Sequence, residues 1–269
     1  MHIELTPGIG TPNPSPLPFT PALSEFSPAH LQSPSVTPAR IAELLAPFIG
    51  QYEQPEASAL FANISTYIDI LMRWNSRINL TAIRDPEQIV TRHFGESLFL
   101  ARNLFVGTAA MGCPSEQSPT AAGPSSKVAL ADLGSGAGFP GVPIKLWAPS
   151  ISLTLIESNH KKAAFLGEIA RSLRLTDVNI QNTRAETLPP AAFDVVTLRA
   201  VERFDAALPI AARLLRPQGR LALLIGSAQI PQVRSILPDH DFSDPLPIPL
   251  STSRVLLVGK PSSRQEPKQ

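Results

Sequence analysis

The run Asp132-Leu-Gly-Ser-Gly-Ala-Gly-Phe-Pro-Gly-Val-Pro143, entered from the apolar stretch Val128 to Ala131, leaves few folds open to this chain. It reads as the first strand of an α/β sheet running into a glycine-rich turn. Glycines there allow φ > 0 and put no Cβ between main chain and ligand, so a cofactor is expected against bare peptide N–H groups. The next apolar run, Ile151 to Ile156, ends in Glu157. A carboxylate at the tip of the second strand is where nucleotide-type sheets hold ribose hydroxyls.

The spacing satisfies two patterns. Gly136-x-Gly138-x-x-Gly141 meets the dinucleotide pattern, and Gly134-x-Gly136-x-Gly138 meets that of S-adenosylmethionine (SAM). Asp132 favours SAM, because an acid just before the glycines lies near the cationic methionine end of that cofactor. A dinucleotide-dependent oxidoreductase and a purely structural Gly/Pro loop stay open at this point.

The chain has 269 residues, 43% of them hydrophobic, enough for one large α/β domain with an extension. Its net charge of +1 creates no global field, so a nucleic-acid partner must be met by a local patch. Cys113 is the only cysteine, which excludes an intramolecular disulfide and argues against a cysteine metal cluster; no metal is expected. Neither a basic, apolar leader nor an apolar run of about 18 residues is present, so a cytoplasmic protein without membrane spans is expected.

Residues 1–36 carry eight prolines and read as a disordered tail. A helical cap is expected over 37–106. Thr37-Pro38 starts its first helix and Gly50 ends it, with Ile41, Leu44, Leu45, Phe48 and Ile49 as one stripe. Leu60, Ile64, Tyr67, Ile68 and Leu71 form the second stripe. A third helix starts at Asp85-Pro86, with Gln88 completing a capping box, and places His93 and Ser97 one turn apart beside an Arg92–Glu96 pair. From spacing alone His93 reads as a hydrogen-bonded core histidine. Residues 107–126 form a low-complexity loop, 127–260 the cofactor domain, and 261–269 a disordered tail. In that domain strands at Val178–Gln181, Phe193–Leu198, Gly219–Ile225 and Arg254–Gly259 alternate with helices, one of them capped by Asn159. A mainly parallel, Rossmann-like sheet with helices on both faces follows.

With these motifs laid out, the chain resembles the bacterial 16S rRNA guanine-N7 methyltransferase family, RsmG, also called GidB. The carriers are Trp74-Asn75 with Asn79-Leu80-Thr81, Arg92-His93 with Ser97, the Asp132–Pro143 turn, Glu157 with Lys161 and Phe165-Leu166, Arg184-Ala185-Glu186, and Arg199-Ala200. The resemblance implies a class I SAM-dependent methyltransferase whose cofactor meets Asp132, Gly134, Gly136, Gly138 and Phe139, with Glu157 on the ribose and Ala185 and Glu186 beside the adenine. It implies that Arg199 faces the cofactor's reactive end and is catalytic, that His93 and Arg184 contact RNA, and that the partner is 16S rRNA or the small ribosomal subunit. A monomer is expected. Two departures stand out: Glu96 where the family has Asp, and Ile225-Gly226 where its fifth strand ends in Lys-Gly.

The implied chemistry agrees with what the chain lacks. Guanine N7 offers a lone pair and carries no proton, so transfer from a sulfonium needs alignment and electrostatics without a general base. No cysteine is placed for covalent attack on a pyrimidine, and no Asn/Asp-Pro-Pro-aromatic motif for exocyclic amines occurs. N7 lies in the narrow major groove of RNA, so an exposed guanine in a partly assembled particle is the expected target. A methyltransferase for a small molecule or protein, and a non-catalytic RNA-binding module, are the rivals.

Overall fold

A computed structural model of the chain describes residues 35–50, 57–105, 127–201 and 203–262. The expectations for residues 1–34, for Cys113 within the 107–126 loop, and for 263–269 lie outside the described residues.

Among the described residues, three helical segments precede the sheet. Helix α1 (Pro38–Ile49) is capped at its N-terminus by Thr37, whose side chain accepts from Arg40 N, and closes at Gly50, as its sequence dictates. Ser35 and Val36 belong to this layer and not to a tail: Ser35 N donates to Asp69 Oδ1 (3.0 Å), and Ser65 Oγ donates to Val36 O (2.7 Å). Helix α2 (Ala57–Asn75) buries the expected stripe. The third segment departs from a plain α-helix. Only α3 (Pro86–Gln88) and α4 (Glu96–Phe105) have the α period, and Ile89–Gly95 between them is a π-helix. Its apolar residues fit either period, so the sequence pattern did not distinguish them. A π turn loosens the ladder locally and recurs at functional sites.

The sheet consists of β1 (Ala129–Leu133), β2 (Ser152–Ile156), β3 (Val178–Gln181), β4 (Phe193–Arg199), β5 (Leu215–Gly226), β6 (His240–Phe242), β7 (Leu246–Pro247) and β8 (Arg254–Pro261). Their order is β3-β2-β1-β4-β5-β8-β6, with β7 also on β8. The first five run parallel, and β8 is antiparallel to β5, β6 and β7. Strands β6 and β7 are additions to the expected set. The final strand reaches Pro261, and Ser262 N donates to Asp239 O, so order extends two residues past 260.

Helices α5 (Gly141–Trp147), α6 (His160–Ser172), α7 (Phe204–Leu214) and α8 (Ile230–Ile236) complete the layers. Alternate strand residues feed two cores, as the pleat requires. Leu153, Leu155, Ala222 and Leu224 join residues of α1, α2, α4, α5 and α6 on one face. Leu221, Leu223, Ile225 and Leu257 join α7 and α8 on the other. The three N-terminal segments therefore share a core with the sheet. This is a Rossmann-like arrangement, and its chain reversal between β1 and β4 opens a crevice at the strands' carboxyl ends.

Candidate cofactor and transfer site

A cavity of about 750 Å³ lies at that crevice, lined by the glycine turn, the tips of β2 and β4, the turn after β3, the loop carrying Thr81, and His93. Gly134, Ser135, Gly136, Ala137 and Phe139 form one wall. Most peptide N–H groups of this turn are not bare. Those of Gly134 and Ser135 donate to Ile156 O, those of Gly138 and Phe139 to Ser135 O, and that of Gly136 to Glu157 Oε2 at 2.9 Å. A buried turn must satisfy its own donors, so its glycines supply close approach and not a row of free donors.

Two of the expected cofactor contacts sit behind this wall. Gly138 does not line the cavity; its missing Cβ makes room for Tyr67, because a Cβ there would lie 2.5 Å from Tyr67 Oη. Tyr67 Oη in turn donates to Ala137 O, and the ring packs edge-on against Phe94 at 5.2 Å. Asp132 also does not line the cavity. It is fully buried, accepting from Gly141 N (3.0 Å) and Thr197 Oγ1 (2.9 Å), so it ties β1 to β4 and to the start of α5. Burial pushes its pKa up to about 6 against the pull of those hydrogen bonds. The acid that pointed to SAM thus shapes the turn without touching the cavity.

Glu157 directly follows β2 and lines the cavity. Its Oε2 accepts from Gly136 N and its Oε1 from Asn159 N (2.7 Å), which leaves one lone pair on each oxygen for a diol. Asn159 caps α6 by accepting from Lys161 N and Lys162 N, fixing the direction of the chain after β2. Ala185 and Glu186 line the cavity from the turn after β3, with Arg184 exposed beside them. Arg213 Nη2 steadies that turn by donating to Ala185 O and Glu186 O.

The opposite wall comes from the N-terminal helices, and sequence reasoning missed part of it. Thr81 and Leu80 line the cavity. The Trp-Asn and Asn-Leu-Thr motifs were the available signal. Asn75 Oδ1 accepts from Leu80 N and Thr81 N, and its Nδ2 donates to Thr81 O, so one side chain builds the loop that presents Thr81. Thr81 Oγ1 meets His93 Nε2 at 2.8 Å, and the His93 ring stacks on Phe139 with centroids 4.7 Å apart. His93 is 8% exposed and is both a packed, hydrogen-bonded histidine and a wall of the cavity. Burial, reinforced by Arg199, Arg92 and Arg254, drives its pKa down to about 3, so the imidazole stays neutral and is a feeble base.

Arg199 lines the cavity at the end of β4, yet its guanidinium is engaged: Nε and Nη2 donate to Glu96 Oε2 (3.3 and 3.1 Å), and Nη2 to Arg92 O (2.8 Å). Lys162 and Val201 also line the cavity, and neither stood out in the sequence; Arg203, one of the arginines near 199 to 220 that the sequence offers as phosphate contacts, lines it too.

These residues suit SAM. At Gly136, φ is +55° and an added Cβ would meet nothing nearer than Gly134 O at 3.8 Å, so the turn leaves an open face on the cavity, with an acid for the ribose beside it. Among solved structures, the fold is similar to ribosomal protein L11 methylase from Lactobacillus delbrueckii subsp. bulgaricus, with a TM-score of 0.48, 16% identity, and coverage of 63% of this chain and 80% of that one. Ribosomal RNA small subunit methyltransferase G of Xylella fastidiosa (strain 9a5c) is 36% identical over 196 residues, covering 71% of this chain and 82% of that protein. The protein of the same name from Xanthomonas axonopodis pv. citri (strain 306) is 38% identical over 178 residues, covering 66% and 74%. The family described as GidB: rRNA small subunit methyltransferase G matches residues 61–109 and 119–236, and every residue lining the cavity falls within those ranges. The chain belongs to the rRNA small subunit methyltransferase G family.

Proposed function

We propose that this SAM-dependent methyltransferase modifies N7 of a guanine in the 16S rRNA of the small ribosomal subunit, acting as a cytoplasmic monomer. Family membership supports the RNA substrate, and one feature of the site supports the atom. Among the described residues lining the cavity, no side chain near Arg199 and Ala200 is suited to remove a proton from a nucleophile. His93 is held neutral with its pKa near 3, Asp132 is walled off behind the turn, and Glu157 is committed to two backbone N–H groups beside β2. An acceptor atom that already carries a free lone pair is the one such a site can serve.

SAM bound in the cavity supplies a sulfonium methyl group open to in-line attack. The chain's part is alignment. Glu157 would accept from the ribose hydroxyls, Ala185 and Glu186 would flank the adenine, and the open face at Gly134 and Gly136 would admit the cofactor close to the main chain. His93, stacked on Phe139, and Thr81 form the wall across from them and would shield the transfer region. Arg199 would orient the incoming base or its phosphate through the N–H groups that Glu96 and Arg92 O leave free. Lys162, Arg184 and Arg203 line the cavity without an acidic partner among the described residues, and they supply the local positive charge that the balanced net charge does not. The test is methyl-labelled SAM incubated with the protein and undermethylated small-subunit particles or free rRNA, followed by digestion to nucleosides. Label in 7-methylguanosine is expected. Label in another nucleoside, in ribosomal protein or in a small molecule overturns the proposal.

A further inference from the structure

Glu96 is 1% exposed, and three arginines from three parts of the chain converge on it. Arg199 of β4 donates through Nε and Nη2, Arg254 of β8 donates through Nε at 3.0 Å, and Arg92 of the π-helix approaches Oε1 at 3.5 Å. The Arg199 side chain is 10% exposed and that of Arg254 22%. Three guanidiniums against one carboxylate leave the cluster with excess positive charge, and it sits beside the cavity because Arg199 and His93 line the cavity.

The π turn adds to the arrangement. In a continuous α-helix the Glu96 N–H would bond Arg92 O; it bonds His93 O instead, and Arg92 O accepts from Arg199 Nη2 at 2.8 Å. Arg254 occupies the sheet register of Gly226, the end of the strand that lacks the family's lysine, and its Nη2 donates to Leu224 O at 3.4 Å. The neighbouring antiparallel strand thereby places a cation beside the end of β5.

Resting on the function proposed above, we propose that Glu96 is a positioning residue for methyl transfer: it holds Arg199 at the reacting end of the cavity, with Arg254 braced beside it, so that the remaining N–H groups of Arg199 meet the target nucleotide. A buried carboxylate serves this purpose because removing it leaves like charges side by side with nothing to orient them. The longer arm of Glu, compared with Asp, lets one carboxylate reach donors on both β4 and β8.

Two variants test this. Glu96→Gln removes the charge and keeps the shape; Glu96→Asp keeps the charge and shortens the reach. In Glu96→Gln the single-turnover methylation rate on small-subunit RNA is expected to fall at least 30-fold. SAM affinity should stay within threefold. RNA affinity should hold or tighten, because one negative charge has left an arginine cluster. Glu96→Asp should recover part of the rate. Arginine side-chain NMR gives a readout independent of RNA: the Nε–H signals of Arg199 and Arg254, assigned with Arg199→Lys and Arg254→Lys, should be slow to exchange in the native protein and in Glu96→Asp, and fast in Glu96→Gln. A Glu96→Gln protein that methylates at the native rate, or that loses SAM affinity in step with its rate, overturns the positioning role. Should Glu96→Gln fail to fold, slow-exchanging signals with a reduced rate in Glu96→Asp support the role, and an unchanged rate despite fast exchange overturns it. A native protein that methylates no RNA refutes the function proposed above, and the NMR comparison still decides whether Glu96 holds the guanidiniums.

Discussion

Gly136 and Gly138 belong to one motif, and the structure predicts that replacing them by alanine damages different properties. Both have positive φ, +55° and +81°, so an alanine at either carries a backbone penalty of about 1–2 kcal/mol. Their surroundings differ. At Gly136 the new methyl meets only Gly134 O at 3.8 Å, at a residue that lines the cavity. At Gly138 it lies 2.5 Å from Tyr67 Oη and 3.1 Å from Leu166 Cδ2 and Val142 Cγ2, in a close-packed interior that cannot yield freely. Overpacking of that kind costs about 1–3 kcal/mol more. Gly138→Ala should therefore destabilise by about 2–5 kcal/mol, and at ~2–4 °C per kcal/mol for a domain of this size its melting temperature should drop well below that of Gly136→Ala. Gly136→Ala should instead weaken SAM binding, with little further loss of stability. The assay pairs thermal melting with calorimetric SAM titration, and adds a double-mutant cycle with Tyr67→Phe. Removing the hydroxyl relieves the contact, so Gly138→Ala should cost at least ~1 kcal/mol less in the Tyr67→Phe background. Equal melting temperatures for the two alanine variants, or additive effects of Gly138→Ala and Tyr67→Phe, would refute the reasoning.

Other expectations follow from single side chains. Glu157→Ala should weaken SAM binding by about 1.5–3 kcal/mol, through lost charge-assisted hydrogen bonds and released Gly136 and Asn159 N–H groups, while NAD should not bind the native protein; calorimetry reads both. Arg199→Ala should slow single-turnover methylation by ~10²-fold or more and raise the SAM dissociation constant by a smaller factor. His93 should remain neutral in NMR titrations from pH 8 to pH 5. Its folded-state pKa near 3 lies below its unfolded value near 6.5, so the unfolded chain binds the extra proton first. The stability His93 contributes as a neutral ring is present above pH ~6.5 and is lost as pH falls toward 3, and His93→Gln should flatten that part of the stability curve.

The elements legible in the sequence were those whose signals are local. Thr37-Pro38 and Gly50 bounded α1, Asn159 capped α6, and the glycine turn with Glu157 located one side of the cavity. The π-helix was hidden because Ile89, Val90 and Phe94 are buried under either period. Strands β6 and β7 are three and two residues long, too short for an alternation to show. Asp132 and Gly138 have the residue types the motif demands, but their roles depend on what packs behind the turn: Thr197 lies 65 residues away from Asp132, and Tyr67 comes from a helix before the sheet. The arginine cluster was the least legible feature, since Glu96 and Arg254 stand 158 residues apart and meet only when β8 adds antiparallel to β5.

The most direct test of the central claim is chemical mapping of 7-methylguanine in small-subunit rRNA from cells with and without this protein. Borohydride reduction followed by aniline cleaves RNA at that base, so the strand break reports the modified atom and its position together. The account predicts one cleavage site that is present with the native protein, absent without it, and not restored by an Arg199→Ala copy. An identical cleavage pattern in both cell types, or a protein-dependent methyl group on any atom other than guanine N7, would contradict it.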